Sequence, residues 1–364
     1  MSIEGITKTK FARFGVMAAL AALALAPATA AHAGKKSKQA ALAAAAATST
    51  SARFCSATAE LQETACLLEA RDDNAVAKAI CLNISNASER SACNADATAA
   101  LRDTNLECDE VDDEREALCG LIGEGRYEPD FDPAHYDDPR NPSNPNPFLP
   151  LAVGNHWTFV EGSEIVDITI LDASKAIDGI ECIVMRDLVT VDGEPVEDTD
   201  DWFGFRKDGA VVYCGEEVKD YEVFAGDNPI RPELTSRDGS FKHGRDGDKG
   251  GVIMQGTPRV GMTYRQEFSA GNAEDVATVL STTYRYGQNA TLDAFVPPAL
   301  ANLLCSAGDC LVTKEYSPMS PGQFEHKYYT RGIGQFLATT PDAGKSVELF
   351  ECNMDARCAS LPQP

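Results

Sequence analysis

The chain has 364 residues, of which 43% are hydrophobic, and its formal net charge at pH 7 is −24. Such an acidic surface repels nucleic acid, because phosphate binding depends on Lys and Arg side chains that displace counterions. We therefore expect no nucleic-acid partner. Cations, basic partners or solubility alone would each make use of the negative charge.

Residues 1–33 have the pattern of a secretory signal peptide. Three basic residues precede an apolar run, Phe14–Ala26, and Ala31-His32-Ala33 is an A-x-A cleavage site. The apolar run is too short to cross a bilayer, and no similar run follows. We predict a periplasmic or extracellular protein that is cleaved near Ala33 and is not transmembrane. Since the signal peptide removes a net charge of +2, the mature chain carries about −26.

All twelve cysteines lie beyond the predicted signal peptide, six in 55–119 and six in 182–358. No two of them form a C-x-x-C motif, so zinc ribbons and thioredoxin-like redox sites find no support. Disulfides persist in exported proteins. The even number of cysteines on each side predicts two separately cross-linked modules.

The first module is predicted to be helical. Residues 34–53 are an Ala-rich, low-complexity segment that we interpret as a tether. Residues 54–125 are rich in Ala, Glu and Leu and contain no proline, which favours helix. Capping-box pairs predict helix starts at Asn86, with Glu89, and at Asp113, with Glu116.

Cysteines in 54–125 recur in pairs separated by 11, 12 and 11 residues. This repeat predicts helical hairpins that each carry one disulfide, which contributes about 2–3 kcal/mol in the chain-entropy model. A module this small needs such cross-links, because it buries little core. Modules of this kind more often mediate an interaction than a reaction, so a protein partner bound through 54–125 is one functional hypothesis. The predicted bridges are Cys55–Cys66, Cys81–Cys93 and Cys108–Cys119.

Residues 126–147 contain six prolines among Asp and Asn residues. Proline at this density prevents regular structure and favours an extended, semi-rigid path. We interpret the segment as a linker between two modules.

From Phe148 the pattern changes to short apolar or alternating runs separated by Gly and Asp-Gly turns, which is typical of strands. Asp208-Gly209 separates two such runs and predicts a hairpin. One short helix is predicted at Pro298–Leu304. About ten strands in 148–364 predict an all-β main domain: an antiparallel barrel, half-barrel or sandwich. The predicted strands are Trp157–Val160, Val166–Leu171, Cys182–Met185, Trp202–Phe205, Val211–Tyr213, Thr263–Phe268, Val276–Thr283, Cys310–Tyr316, Glu325–Thr330 and Val347–Phe350.

The cysteines of the β-domain are predicted to pair locally. Proximity in sequence favours Cys305–Cys310 and Cys352–Cys358. Cys182 then pairs with Cys214, and that bridge would join two neighbouring strands.

Four sequence segments of the β-domain, taken together, resemble one group of proteins. Residues 146–350 resemble exported bacterial β-domains that open with a Pro-Leu-x-x-Gly-x-x-Trp strand and close with a His-Lys-Tyr-Tyr-x-x-Gly-x-Gly strand. The resemblance implies a sheet-rich extracytoplasmic domain and no particular activity, and the cysteines are not part of the shared pattern. The segments are Asn146-Pro-Phe-Leu-Pro-Leu-Ala-Val-Gly-Asn-His-Trp157, Glu197-Asp-Thr-Asp-Asp-Trp202 with Lys207-Asp-Gly209, Pro258-Arg-Val-Gly-Met-Thr-Tyr-Arg-Gln-Glu267, and Pro321-Gly-Gln-Phe-Glu-His-Lys-Tyr-Tyr329 with Gly332-Ile-Gly334.

The closing strand holds the first candidate site. In an extended strand His326 and Tyr328 share one face, and Lys327 and Tyr329 share the other. A histidine beside a phenol can perform acid/base work, with Glu267 as a third catalytic candidate. The alternative is a hydrogen-bonded histidine in the core with tyrosines that fill a barrel.

The strand Thr263–Phe268 holds further candidates. Alternation predicts Arg265 and Glu267 on one face, opposite Tyr264, Gln266 and Phe268. Carboxylates at Glu274 and Asp275 follow in the next turn and can approach Glu267 if the next strand pairs back. Paired carboxylates perform acid/base work or bind a hard cation, although charged residues in such positions are more often solvated.

A Gly- and Asp-rich loop around His243 suggests a cation site but does not match the EF-hand spacing. We predict that His243, with Glu274 and Asp275, would form a metal site if tertiary structure joined them. A divalent cation is the one cofactor considered. No nucleophile elbow, H-E-x-x-H helix, Walker loop or dinucleotide fingerprint is present in the sequence.

The leading functional hypothesis is an acidic, exported, non-catalytic binding protein whose β-domain holds a small molecule, a lipid or a cation. It rests on the aromatic-rich strands and the missing catalytic motifs. The first alternative is an acid/base or metal-assisted enzyme that uses His326, Tyr328 and Glu267, and the second is an envelope interaction protein. The residues predicted to line the binding site are Trp157, Trp202, Tyr264, Arg265 and Tyr329.

Overall fold

A helical hairpin and a curved antiparallel sheet make up most of the computed structural model, which describes residues 52–363. The predicted signal peptide and nearly all of the predicted tether lie outside the described residues. The helices are α1 (Phe54–Leu82), α2 (Ala87–Ile122) and α3 (Pro298–Leu304), with 3-10 helices at Pro133–His135 and Ala356–Ser360. The strands are β1 (His156–Glu161), β2 (Glu164–Ile177), β3 (Ile180–Val191), β4 (Glu194–Phe205), β5 (Val211–Glu217), β6 (Asp220–Glu222), β7 (Glu233–Ser236), β8 (Phe241–Lys242), β9 (Lys249–Met254), β10 (Thr263–Arg265), β11 (Glu267–Phe268), β12 (Val276–Tyr284), β13 (Cys310–Tyr316), β14 (Glu325–Thr330), β15 (Gly334–Thr340) and β16 (Lys345–Cys352).

The helices α1 and α2 form one long hairpin. Asn86 begins α2 as predicted, because its side chain accepts hydrogen bonds from the backbone N–H groups of Ser88 and Glu89. The predicted helix start at Asp113 is wrong, since α2 continues through it. Residues 87–119 contain neither proline nor glycine, so nothing in this run breaks the helix.

Three disulfides join the two helices as a nested ladder: Cys55–Cys119, Cys66–Cys108 and Cys81–Cys93. The Cys81–Cys93 prediction is confirmed, and the predictions Cys55–Cys66 and Cys108–Cys119 are wrong. Each wrong pair lies on a single helix, where 11 residues span about 16 Å, far more than a disulfide bridges. The cysteine spacings 11, 15, 12, 15 and 11 read the same in both directions. Two antiparallel helices that meet at every cysteine require this symmetry.

The β-domain bridges Cys182–Cys214, Cys305–Cys310 and Cys352–Cys358 are confirmed. The prediction that Cys182–Cys214 joins neighbouring strands is wrong, because Cys182 lies on β3, Cys214 lies on β5, and β4 runs between them. Every cysteine in 52–363 is in a disulfide. This fits a non-cytoplasmic protein, since cytosolic thiols are kept reduced. Within the same residues, no helix has the length and apolar character needed to cross a membrane.

The strands form one antiparallel sheet that curls into a nearly closed barrel, the first of the three predicted architectures. Its main order is β10-β12-β13-β14-β15-β16-β1-β2-β3-β4-β5-β9-β11, with β6, β7 and β8 at its margin. The predicted hairpin at Asp208-Gly209 joins β4 to β5. The predicted helix Pro298–Leu304 forms as well and packs against the main core.

One short segment, Thr263–Phe268, supplies the strands at both ends of this order. Its first half, β10, pairs with β12, and its second half, β11, pairs with β9. The change of partner falls at Gln266. Gly251 in β9 permits the close approach, because a Cβ there would lie 2.5 Å from the carbonyl oxygen of Arg265. The barrel therefore closes through this segment.

The predicted linker packs along the outer wall of the barrel. Phe131 and Tyr136 are buried in a cluster that includes Trp202 and the Cys182–Cys214 bridge. Asn146 Nδ2 donates a hydrogen bond to the Gly209 carbonyl oxygen over 2.7 Å. The prolines keep the segment nearly free of regular structure, as predicted, while these contacts fasten it to the barrel.

Candidate functional site

A cavity of about 590 Å³ lies between the helical hairpin and the barrel wall. The start of α1, the end of α2, the segment that follows α2, and strands β9 to β11 form its walls. Its volume falls within the range of roughly 300–1,000 Å³ that is typical of small-molecule sites. Its large apolar lining residues include Phe54, Leu61, Ile122, Val212, Val252 and Phe268.

Tyr127 holds one wall of the cavity in place. Its hydroxyl donates a hydrogen bond to the Gly250 carbonyl oxygen over 3.0 Å. Its own carbonyl oxygen accepts a hydrogen bond from Lys249 Nζ over 2.5 Å. The ring lies edge-on to Phe268, with 6.0 Å between centroids. The strand β9 and the segment after α2 are thus joined beside the cavity.

Arg265 places a guanidinium group against the same wall. The residue is 8% exposed, and its Nε and Nη1 atoms have no hydrogen-bond partner among the described residues. The guanidinium carbon lies 4.6 Å from the Phe268 ring centroid and 5.7 Å from that of Tyr127. Burial lowers the pKa of Arg265, but a guanidinium keeps its proton at neutral pH. The cavity wall therefore carries a buried positive charge.

A second arginine, Arg115 of α2, joins the hairpin to the barrel. Its Nε and Nη2 atoms donate to the Glu274 carboxylate over 2.9 and 2.8 Å. Both side chains are almost fully buried. Glu274 also accepts hydrogen bonds from Gln62 of α1 and from the Gly271 backbone N–H. The predicted metal ligand Glu274 is therefore engaged with the hairpin.

The break in the strand at Gln266 changes the predicted faces of this segment. Gln266 donates to Glu315 over 3.2 Å on the interior side, and Glu267 lies near Glu216 and Asp275. Arg265 and Phe268 line the cavity together. The predicted face shared by Arg265 and Glu267 is wrong, because a strand that exchanges partners loses its two-residue alternation.

The interior side holds an acidic cluster of six carboxyl groups, three of which, Glu315, Asp275 and Glu325, lie near Lys327. Lys327 Nζ lies 3.1 Å from Glu315 Oε2, and the Tyr329 hydroxyl donates to Glu315 Oε1 over 2.9 Å. Tyr213 contacts both Asp201 and Glu216. The carboxyl groups of this cluster are Asp201, Glu216, Glu267, Asp275, Glu315 and Glu325.

Burial keeps much of the acidic cluster protonated. It raises the pKa of Asp201 and Asp275 to about 7 and that of Glu325 to about 8. Burial, reinforced by neighbouring carboxylates, also raises the pKa of Glu216 and Glu267 well above the usual range. The cluster therefore carries less negative charge at neutral pH than its six carboxyl groups suggest.

The structure does not bring the three predicted catalytic residues together. The Tyr328 hydroxyl donates to the Leu292 carbonyl oxygen over 2.6 Å, and its ring packs against Tyr284. His326 is 7% exposed and lies beside Phe324, and burial together with Lys314 lowers its pKa. Glu267 belongs to the interior acidic cluster, where Lys327 lies. His326 and Tyr328 occupy the opposite face of β14 from Lys327.

The remaining predicted residues have mainly packing roles. The Trp157 indole donates to the Ile333 carbonyl oxygen over 2.7 Å. Trp202 is buried beneath Lys175, whose Nζ lies 3.5 Å from the ring centroid. Tyr329 is fully buried, whereas Tyr264 contributes to the cavity wall while its hydroxyl is buried. Tyr264 and Arg265 are thus the two predicted binding residues that line the cavity.

His243 stacks on Phe131 with 3.4 Å between ring centroids, and its Nδ1 accepts a hydrogen bond from the Gly250 N–H. Glu274 faces Arg115 and Asp275 lies in the acidic cluster, so the three predicted metal ligands have separate surroundings. Across residues 52–363 no group of three or more His, Cys, Asp or Glu side chains is arranged to hold a metal ion.

No protein-family model, curated protein or solved structure matches this chain. The resemblance to exported β-domains stays a prediction.

Sequence reasoning missed most of the cavity. Arg115, Arg126 and Tyr127 lie in the helical module and the predicted linker, where the sequence predicts no small-molecule site. One signal was present in the sequence: Arg126-Tyr127 is a basic-aromatic pair directly before an acidic, Pro-rich run. The ion pair between Arg115 and Glu274 spans 159 residues and has no local signature.

Proposed function

We propose that this protein is an exported, non-catalytic binding protein that holds a small molecule between its helical hairpin and its barrel wall. The observation that carries the proposal is the 590 Å³ cavity, with apolar walls and a few polar groups. Such a combination is the usual form of a small-molecule site. A periplasmic or extracellular location after cleavage near Ala33 belongs to the same proposal and is supported by the disulfides.

Enzymatic chemistry at His326, Tyr328 and Glu267 is less well supported. Acid/base catalysis needs groups that reach one reacting centre. Tyr328 is hydrogen-bonded to the chain at Leu292, and Glu267 lies in the interior cluster. The interaction hypothesis for 54–125 competes with the proposal directly, because the same hairpin forms one wall of the cavity.

The proposal is tested by filling the cavity with a bulky side chain. Thr58 and Thr64 both lie on α1, and each hydroxyl donates to the carbonyl oxygen four residues earlier. Thr58 lines the cavity, whereas Thr64 does not. Thr58→Trp therefore blocks the cavity, and Thr64→Trp is its matched control.

Compounds that remain bound through native purification are extracted from the full mature protein and its variants and compared by mass spectrometry. A compound retained by the wild type and Thr64→Trp, but lost from Thr58→Trp, is the expected result. Equal retention by both variants, or no retained compound in any of them, would argue against a binding function at this cavity.

A further inference from the structure

The cavity is basic although the protein is strongly acidic. Its lining includes five cationic side chains and one carboxylate, Asp130, in a chain of net charge −24. Asp130 is itself engaged by His135, 2.7 Å away. The overall composition does not account for this local excess of positive charge, so its cause lies in the cavity. The cations are Arg115, Arg126, Arg206, Lys249 and Arg265.

Three of these cations have polar partners in the protein. Arg115 is paired with Glu274, and Arg206 lies 2.5 Å from an Asp208 carboxylate oxygen. Lys249 donates to the Tyr127 carbonyl oxygen. Arg126 instead stacks on Phe54, with its guanidinium carbon 4.0 Å from the ring centroid.

Arg265 is the one of the five whose charge is both deeply buried and unpaired. The nearby carboxylate of Glu274 is already bonded through both oxygens to Arg115. Arg115, Arg265 and Glu274 together therefore carry a net charge of +1. A buried ion without a partner is costly, and two guanidinium nitrogens of Arg265, Nε and Nη1, find no acceptor among the described residues.

Apart from the five cations and Asp130, most of the cavity lining is uncharged and largely apolar. Phe54, Leu61 and Ile122 come from the hairpin, and Val212 and Val252 come from the barrel. Apolar surfaces of this kind accept an apolar body and penalise a charge that is buried against them. A ligand that suits both parts of the cavity has one polar end.

We infer that the molecule held in this cavity is amphipathic, with one anionic end group that binds Arg265 and an apolar body that lies between α1 and β9. This inference rests on the proposed function and adds the ligand class to it. A carboxylate and a phosphate monoester share the required chemistry, since both accept paired hydrogen bonds from a guanidinium. The aromatic rings of Phe268 and Tyr127 pack against the guanidinium in the cavity wall.

The test uses probes that differ only in their end group. Dodecanoate, dodecyl phosphate, 1-dodecanol and dodecylamine form an alkyl series, and 2-naphthoate and 2-naphthol form an aromatic pair. Binding is measured calorimetrically to the full mature protein, below the concentration at which the probes form micelles. We expect an acid to bind roughly 10- to 100-fold more tightly than its matched alcohol, which is the usual effect of hydrogen bonds to a charged group.

Arg265→Met should remove this preference for the acid while it leaves the affinity for the alcohol within about twofold, because the methionine keeps the apolar contact. Arg259 is exposed and outside the cavity, so Arg259→Met is the matched control and should keep the preference. Circular dichroism establishes that each variant is folded. The ratio of dodecanoate to dodecyl phosphate affinity identifies which anion fits better.

Two negative results have different meanings. If the alcohol or the amine binds wild type as tightly as the acid, or if Arg265→Met keeps the preference, the anionic ligand class is wrong and the binding function stands. If no probe binds wild type more tightly than Thr58→Trp, and no retained compound distinguishes these proteins, both proposals are wrong.

Discussion

Acidic side chains lie on the interior side of the segment Thr263–Phe268, and basic side chains lie on its cavity side. The excess charge is compensated in a different way on each side. On the interior side, burial raises the pKa of carboxyl groups such as Glu267 and Glu216, which favours their neutral, protonated form. On the cavity side, Arg265 cannot release its proton at neutral pH. A buried carboxyl group can therefore fill a core, whereas a buried arginine needs an anion.

The same difference separates structure from function in this protein. The acidic cluster is enclosed by the barrel. Its negative charge is lowered by protonation and partly offset by the ammonium group of Lys327. The cavity is bounded by two modules. Its positive charge is only partly offset, since the carboxylate of Glu274 pairs with Arg115. We therefore assign the acidic cluster to folding and the cavity to binding.

The largest expected effect comes from the ion pair that fastens the two modules. Glu274→Gln removes the carboxylate and leaves Arg115 and Arg265 buried without a counterion, which should cost about 3–5 kcal/mol of unfolding free energy. Chemical denaturation measures it. The control is Asp172→Asn, which breaks the exposed pair of Asp172 with Arg140 (3.1 Å) and should cost less than about 1 kcal/mol. Equal costs for the two variants would contradict a role for Glu274 in docking.

The next effect concerns the cavity wall formed by the hairpin. Replacing Cys55 and Cys119 by Ala opens a cross-link that, with Cys66–Cys108 intact, closes a loop of about 24 residues, which should cost about 3.5 kcal/mol in the chain-entropy model. Replacing Cys352 and Cys358, separated by 6 residues, should cost about 2 kcal/mol. Denaturation of both double variants under non-reducing conditions compares them. The reverse order would show that the hairpin contributes little to global stability.

The acidic cluster predicts a stability that falls as pH rises. The pKa of Glu325 is about 8 in the folded protein, above that of an unfolded glutamate, so folding takes up a proton. This contribution is fully present below about pH 4.5 and is lost as pH rises through about 8. The melting temperature should drop by a few degrees between pH 5.5 and 8.5.

A high salt concentration separates this effect from repulsion between surface charges, since salt screens exposed charges far more than buried ones. Glu325→Gln should flatten the pH profile in part, since Asp201, Glu216, Glu267 and Asp275 still have raised pKa values. Glu351→Gln, at an exposed position, should leave the profile unchanged. A melting temperature that rises toward pH 8.5 in high salt would refute the assignment of buried protons to this cluster.

The smallest effect distinguishes the two arginines of the cavity. Arg265→Met removes an unpaired buried charge, so the melting temperature of the ligand-free protein should stay the same or rise slightly. Arg115→Met breaks a buried pair and should lower the melting temperature by several degrees. If both variants lose the same stability, Arg265 supports the fold rather than a ligand, and thermal denaturation decides between these outcomes.

Local patterns in the sequence predicted ten strand segments, the Asp208-Gly209 hairpin, the Asn86 cap and the three disulfides of the β-domain, but they missed β9, β15 and the short strands β6 to β8. Apart from the Cys182–Cys214 bridge, which joins β3 to β5, each correct prediction depends on residues that are near one another in the chain or on a single strand. The spacings of the hairpin cysteines also contained the correct pairing in their symmetry, but a repeat of short hairpins fitted the same numbers. The decisive fact was that both helices continue without a break.

Only the tertiary structure decided the faces of Thr263–Phe268 and the state of Arg265. The sequence predicts alternation along a strand, but this segment changes partners at Gln266 to close the barrel. Whether Arg265 is paired depends on Arg115, which lies 150 positions earlier and already occupies Glu274. Whether a buried charge has a partner depends on the positions of all the side chains around it. Many of these are distant in sequence, so no local pattern of residues predicts them.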